Sequence, residues 1–339
     1  MHHNFTGVSA TAAAVTRRQL DRYDVRLVGS PLPGCPEPLS FWQAVRASRE
    51  PPSGRKFHIW HVRRNPEMRA GLFARDILRL PIRLVFTSAA QRRHSLIPRW
   101  LISRMDAVIA TTPEAARFVP GVRAVAPHGV DTERFHPAPS REAAWSATGY
   151  PGTAGIAAIG RIRPEKGTDR FVAAMIAALP HLPGTTALVI GKAAPEHASF
   201  LSGLKAEVAA AGLTERILFP GEIDPDALPG LVRGLSLLVA LPRYEGYGVT
   251  PLEAMASAVP FVASDAGWFK EFSGGGAAGL VIAGGEAAMA AQEIVATLSD
   301  PVRHGAMAAA ARARAVEHFS VAAEAEAINA VYEELWSQA

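Results

Sequence analysis

One cysteine in 339 residues, Cys35, leaves no partner for an intramolecular disulfide and no cysteine cluster for a metal; such usage fits a reducing cytoplasm. No stretch approaches the roughly eighteen apolar residues of a membrane span, and no basic-then-apolar leader opens the chain, so neither a span nor a signal peptide is expected. The eleven histidines show no His-Glu-x-x-His or similar ligand spacing, and no metal is expected. Gly-x-Ser-x-Gly is absent, which argues against an α/β-hydrolase. Gly274-Gly-Gly-Ala-Ala-Gly279 matches G-x-G-x-x-G literally, but a strand follows these glycines instead of preceding them, so a nicotinamide site is not expected.

What is present is enough apolar sequence, 49% against 19% charged, for two packed α/β domains. Short apolar runs bounded by breakers predict strands at Val25–Gly29, Phe57–His61, Ile82–Thr87 and Met105–Thr111. After Pro- and Ala-rich sequence at 138–151, read as a linker, further strands are predicted at 154–159, 186–191, 216–220, 235–240, 260–263 and 279–282. Helical patterns lie between them, so two doubly wound parallel sheets follow. The expected domains are 1–137, 152–318 and a terminal helix at 319–339. One oddity stands at the start: Gly7 and its Ser/Thr neighbours form a glycine loop before a helix, yet no strand precedes them. Either the recorded start falls some ten residues late, a strand and its lead-in, or the first strand is built otherwise.

The stretch from Leu241 to Pro260 carries the chemistry. Thr250 is read as an N-cap, with Pro251 in the first helical position and Glu253 at the capping-box spacing. A helix N-terminus behind Gly246 and Gly248 presents unpaired amides and partial positive charge to an anion, most simply a phosphate. Glu245 and Glu253 flank that turn and suit hydroxyl groups; a capping acid for Glu253 and a solvated loop charge for Glu245 are the plainer alternatives. Gly160-Arg-Ile-Arg-Pro-Glu-Lys-Gly167 repeats the theme: a strand, a glycine, then Arg161 and Lys166 ahead of a helix.

Charge is divided unevenly. Residues 1–140 hold 21 Lys+Arg and 10 Asp+Glu, a net of +11; the remaining 14 and 21 give −7. Arg63 and Arg64 follow a predicted strand. Around 71–80, arginines alternate with Leu72, Phe73 and Ile77, either as snorkelling side chains on a core helix or as an anionic-membrane face. Nucleic acid is disfavoured, because no nucleic-acid fold signature is visible and the acidic half repels a long polyanion.

Together, Glu245-x7-Glu253 with Gly248-Val-Thr-Pro-Leu-Glu-Ala-Met-Ala256, Gly160-Arg…Glu165-Lys-Gly167 and Gly129-Val-Asp131…Phe135-x-Pro137 resemble the retaining, GT-B-fold glycosyltransferases of family 4. His61-x-Arg-Arg-Asn65, Arg75-Asp and Phe86-Thr-Ser-Ala-Ala-Gln-Arg-Arg-His94 are similar, more narrowly, to lipopolysaccharide-core mannosyltransferases of alphaproteobacteria. The resemblance implies two Rossmann-like domains facing a central cleft, with the last helix returning to the first domain. It implies a metal-independent transfer from a nucleotide sugar, GDP-mannose, and no cofactor; a UDP-sugar donor and a non-catalytic sugar-nucleotide binder are the alternatives. Arg161 and Lys166 would hold the diphosphate, Glu245 the sugar and Glu253 the ribose. Gly246, Tyr247, Gly248, Val249 and Thr250 would serve sugar and phosphate, and Gly7 would lie beside the diphosphate. Gly191, Lys192, Glu222 and Ile223 would surround the base. Arg63, Arg64, Arg92, Arg93 and His94 would meet an anionic, lipid-linked saccharide acceptor at the inner face of the cytoplasmic membrane. The chain departs from the broad family at Thr87-Ser88, where many members carry a histidine, so the resemblance assigns the first half no catalytic group.

Overall fold

A computed structural model describes residues 7–90 and 93–338, which divide into two compact units, 1–129 with 319–339, and 130–318. In the first unit, α1 (Gly7–Gln19) and α2 (Phe41–Ala47) precede β1 (His58–Val62), α3 (Asn65–Leu72), β2 (Ile82–Ser88), α4 (Leu96–Ser103), β3 (Ala107–Ala110), α5 (Pro113–Ala116) and β4 (Val122–Val125). The second unit holds α6 (Arg141–Ser146), β5 (Ala154–Ile159), α7 (Thr168–Ala178), β6 (Thr185–Ile190), α8 (Ala198–Ala210), β7 (Ile217–Gly221), α9 (Leu228–Gly234) and β8 (Leu235–Ala240). It continues through α10 (Val249–Ala256), β9 (Phe261–Ser264), α11 (Phe269–Ser273), β10 (Gly279–Ile282), α12 (Ala287–Leu298) and α13 (Pro301–His318), and α14 (Val321–Ser337) belongs to the first unit.

Both sheets are wholly parallel. The first runs β1-β2-β3-β4; the second runs β10-β9-β8-β5-β6-β7, the doubly wound order in which the first strand lies in the middle. β6 and β9 are buried at every residue, as strands covered by helices on both faces must be. The core of the second unit packs Phe171 and Met175 of α7 and Ile294 of α12 against Ile156 and Leu237. In the first unit α14 lays Ile328, Val331 and Leu335 on Val85 and Ile109, beside Val15 of α1.

Several expectations need correction. Val25–Gly29 forms no strand of the main sheet. It makes a single parallel bridge, Val28 with Leu39: Gly29 N–H donates to Leu39 O (3.0 Å) and Leu39 N–H to Leu27 O (2.8 Å), while the Val25 N–H turns back to Tyr23 O (2.9 Å). The helix expected from Gly71 begins at Asn65, with Pro66 in its first turn, and passes into a π-helical turn at Phe73–Ile77. The short strand β4 went unpredicted, its residues alternating half-buried and exposed. Residues 138–151, expected as a linker, lie in the second unit, where Ser140 caps α6 and Trp145 is fully buried against Gly155.

Candidate active site

The second unit brings the predicted cations and carboxylate together. Gly160 and Arg161 leave the carboxyl end of β5, Lys166 ends a 3-10 turn before α7, and Glu245 lies in the loop between β8 and α10. With Gly248 and Thr250 they line one small cavity of about 60 Å³. Its location at the carboxyl ends of β5 and β8, the strands flanking the change of winding direction, is where open α/β sheets bind ligands.

Close backbone approach shapes this pocket. Gly167 has φ 67°, and a Cβ there would stand 1.8 Å from Leu241 O, so only glycine lets α7 start against the end of β8. Gly248 has φ 97°, and a Cβ would strike the Phe269 ring at 2.1 Å. That left-handed residue is itself the N-cap of α10, which starts at Val249; Thr250 therefore lies inside the first turn and caps nothing, and the expected Thr250–Glu253 capping box does not form. The positive φ of Gly248 turns the chain into the helix early, leaving the amides of the first turn without side-chain caps. They remain donors for an anion.

Lys166 Nζ and Glu245 Oε2 pair at 2.5 Å, and Glu245 Oε1 accepts the Gly246 N–H at 2.9 Å. Arg161 is exposed and makes no hydrogen bond or ion pair among the described residues. Glu253 is half-buried on α10; burial raises its carboxyl to about 7, against a small opposing pull from Arg134. Tyr247 is buried against Trp268 and Phe272, ring centroids 5.6 and 5.3 Å away, leaving only its backbone to face a ligand. Val249 follows in the same first turn. Gly191-Lys192 and Glu222-Ile223 follow β6 and β7, adjoined by the Gly191 N–H to Gly221 O bond (2.8 Å), and do not line the small cavity.

Sequence reasoning missed the brace around this loop. Arg243 forks onto Asp169 at 2.8 and 2.6 Å and its amide donates to Glu165 O at 2.9 Å, while Ser264 Oγ donates to Pro242 O at 2.7 Å. The guanidinium of Arg243 holds the Asp169 carboxyl below its ordinary range. Thr168 and Phe269, also unpredicted, line the cavity. No local spacing announces these partners, which come from separate elements.

In the first unit the predicted cations are partly committed. Arg63 is nearly buried, donating to Thr11 Oγ1 at 3.1 Å and lying 3.8 Å from Glu324. Arg64 donates to Ser9 Oγ at 3.0 Å. Arg93 is exposed, His94 half-buried, and Arg92 lies outside the described residues. Gly7 is the first residue of α1. Beside Thr87, the structure places a histidine that the resemblance did not: His61 Nε2 is 2.7 Å from Thr87 Oγ1 and its Nδ1 2.5 Å from Tyr332 Oη. Burial keeps this imidazole's pKa well below 6.5, with Arg63 adding to the effect. Glu324, fully buried, accepts from Gly129 N–H at 2.8 Å and pairs with His128 Nδ1 at 2.9 Å.

Comparison with known proteins identifies the family. The sequence profile of "Glycosyl transferases group 1" matches residues 148–314. The lipopolysaccharide core biosynthesis mannosyltransferase LpcC of Rhizobium leguminosarum bv. viciae is 45% identical over 309 residues, 89% of this chain and 86% of that protein. The corresponding LpsB of Rhizobium meliloti is 45% identical over 287 residues, 84% of this chain and 81% of that protein. Among solved structures, the C-terminal domain of a group 1 glycosyl transferase, LpcC from Francisella tularensis, is 34% identical and covers 57% of this chain and 99% of that one, with a TM-score of 0.55. Anabaena Alr3699/HepE, solved with UDP and glucose, aligns over 98% of both chains with a TM-score of 0.81 at 19% identity, a likeness of fold that bears out the GT-B, α/β expectation. Given its extent of identity to the Rhizobium proteins and the profile match, the chain belongs to the group 1 glycosyl transferases and is a glycosyltransferase.

Proposed function

We propose that this enzyme transfers mannose from GDP-mannose, with retention of configuration, to a lipopolysaccharide-core or similar anionic, lipid-linked saccharide at the inner face of the cytoplasmic membrane. The observation that carries the donor site is the convergence of Arg161, Lys166, Glu245 and the start of α10 on one pocket. The lipopolysaccharide-core mannosyltransferase names of the 45%-identical Rhizobium proteins support mannose and the acceptor class.

Breaking the bond between the anomeric carbon and phosphate builds negative charge on the departing nucleoside diphosphate. Arg161, Lys166 and the first amides of α10 stabilise that charge, the task a metal performs in other transferases. Glu245 turns one carboxylate oxygen to Lys166 and the other to Gly246; when the donor diphosphate engages Lys166, an oxygen of Glu245 becomes available to a sugar hydroxyl. Glu253 receives the ribose hydroxyls, and the ends of β6 and β7 bearing Gly191, Lys192, Glu222 and Ile223 take the base.

The acceptor side rests on the first unit's surface. Trp42, Ile77, Leu96, Ile97 and Trp100 are all more than half exposed. Their elements lie near one another: α3 packs on α4, and the Phe41 ring, at the start of α2, lies tilted 6.4 Å from Phe73. Arg69, Arg79, Arg93, Arg99 and Arg104 stand among them in sequence. No helix among the described residues is long and apolar enough to cross a membrane. An apolar patch among cations suits reversible docking on an anionic leaflet, each Lys or Arg adding about 1 kcal/mol.

Thermal-shift titration with GDP-mannose, UDP-sugars and ADP-sugars tests the donor, since a ligand at a hundred times its Kd stabilises by about 2.7 kcal/mol. Stabilisation and turnover by GDP-mannose, retained in EDTA, are expected; response to a UDP- or ADP-sugar alone overturns the donor. Sedimentation with anionic and neutral liposomes at low and high salt tests docking, and equal binding to both lipids removes it.

A further inference from the structure

Three successive residues ahead of α7 meet the loop after β8 in step. Pro164 O accepts from the Arg243 guanidinium, Glu165 O accepts the Arg243 N–H at 2.9 Å, and Lys166 Nζ pairs with Glu245 at 2.5 Å. In the first turn of α7, Asp169 takes Nη1 and Nη2 of the same arginine at 2.8 and 2.6 Å. The Pro164 carbonyl also closes the 3-10 turn by accepting the Gly167 N–H at 3.0 Å, so its two lone pairs serve the turn and the arginine together. Arg243 and Asp169 are 42% and 32% exposed, and a simple ion pair that open to water holds little. A planar fork on two carboxylate oxygens, backed by bonds to two carbonyls, fixes direction as well as distance.

The loop is clamped at its two ends by other contacts. Near its start Leu241 O leaves no room for a Cβ on Gly167, and Ser264 Oγ donates to Pro242 O at 2.7 Å; near its end Trp268 N–H donates to Tyr247 O at 3.0 Å. Between these clamps, Arg243 and Glu245 tie the loop to the turn that carries Lys166. The two ties have different fates when a donor arrives. A diphosphate competes for the Lys166 ammonium, so the tie through Glu245 opens as the site fills. Neither Arg243 nor Asp169 lines the cavity, and the guanidinium already has its partners, so the tie through Arg243 persists.

We propose that Arg243 is a positioning residue for sugar transfer: held by Asp169, Pro164 and Glu165, it keeps the Lys166 turn and the Glu245 loop at a fixed spacing after the Lys166–Glu245 pair has opened onto the donor. The proposal rests on the donor-site reading above and adds to it a residue that touches no ligand. Arg243 acts through Lys166 and Glu245. A misplacement of about 1 Å at such groups can slow a reaction on the order of a hundredfold, so a brace outside the cavity has a catalytic effect without a catalytic contact.

Two measurements on the whole chain test it. Hydrogen exchange, followed by NMR without donor, reads the bond from the amide at position 243 to Glu165 O, which spans the two loops. In Asp169→Ala, which leaves Arg243 itself in place, exchange of that amide should speed up roughly tenfold, and further when Lys166→Ala removes the second tie. The kinetic measurement is a double-mutant cycle with GDP-mannose. Arg243→Ala should lower kcat/KM on the order of tenfold or more in the otherwise unchanged chain, but by no more than about threefold in the Lys166→Ala background, because its effect passes in part through Lys166. The unfolding midpoint should move by no more than about 4 °C. Where Arg243→Ala does not fold, Arg243→Lys, which keeps the charge and loses the fork, takes its place. Unchanged exchange at position 243 in Asp169→Ala overturns the proposal, as does the same kinetic loss from Arg243→Ala in both backgrounds, the mark of general loosening. Lys166→Ala slowed while Arg243→Ala turns over normally overturns the brace alone; wild-type turnover in Lys166→Ala removes the donor-site reading and the brace with it.

Discussion

Lys166 and Glu245, expected to serve different parts of a donor, hold each other: Nζ and Oε2 are 2.5 Å apart. The pair is about a quarter exposed at each side chain, so its net contribution to stability is small, within about 1 kcal/mol. Its effect is to keep a cation poised and its carboxylate turned inward until an anion competes for the ammonium.

Lys166→Ala and Arg161→Ala should each slow mannosyl transfer by on the order of a hundredfold or more, the usual loss when one partner of a developing oxyanion is removed. Steady-state kinetics with saturating donor read the change. Wild-type turnover in both variants would remove the diphosphate assignment.

Glu245→Gln breaks the ion pair while keeping the side chain's shape. Thermal unfolding should shift little, because the pair stays partly open to solvent, whereas turnover should fall at least tenfold, by about 1.4 kcal/mol or more in the barrier. Unchanged transfer with a firmly folded variant would show that Glu245 does not touch the sugar.

Glu253 gives a pH signature. Its carboxyl, raised by burial to about 7, is protonated in the folded protein at pH values where the unfolded chain, near 4.5, is ionised. It therefore costs stability as pH rises from 4.5 through about 7, and the cost is constant above that. Ribose hydroxyls prefer the ionised form, so nucleotide binding should release a proton and tighten with rising pH, by up to roughly tenfold per unit below the raised value. Calorimetry in buffers of different ionisation enthalpy measures the proton, and Glu253→Gln should abolish its release. Equal proton release by that variant would place the titrating group elsewhere.

Glu324→Ala should destabilise the first unit by about 3–5 kcal/mol, because it removes the carboxylate beside the nearly buried Arg63 and leaves the Gly129 amide without its acceptor. Urea unfolding followed through Trp60 and Trp336 reads that unit. A loss under 1 kcal/mol would mean that water or a neighbour replaces the carboxylate.

The second unit was the more legible because β6 and β8 are apolar runs covered on both faces, and such runs announce themselves without periodicity. Lys166, Arg161 and Glu245 were legible because short loops after strand ends fix where they point. Thr250 misled because its capping chemistry is intact in sequence, whereas the left-handed Gly248 decides where α10 starts. Arg63 read as a free cation; its buried partners, Thr11 and Glu324, sit on the first and last helices, and nothing local names them. Val25–Gly29 has strand composition but pairs only with Leu39, a context that composition does not contain.

The return of α14 to the first unit sets an order of assembly. Residues 130–318 are contiguous and can close their sheet while the ribosome is still adding chain. The earlier-made first unit must wait for Val321–Ser337 before Val85 and Ile109 are covered and Gly129, whose position leaves no room for a Cβ against Ser320, meets its neighbour. During synthesis its β-sheet is exposed for the time needed to make nearly two hundred residues. A stop codon or protease cut ahead of α14 thus spares the second unit and leaves the first a substrate for chaperones.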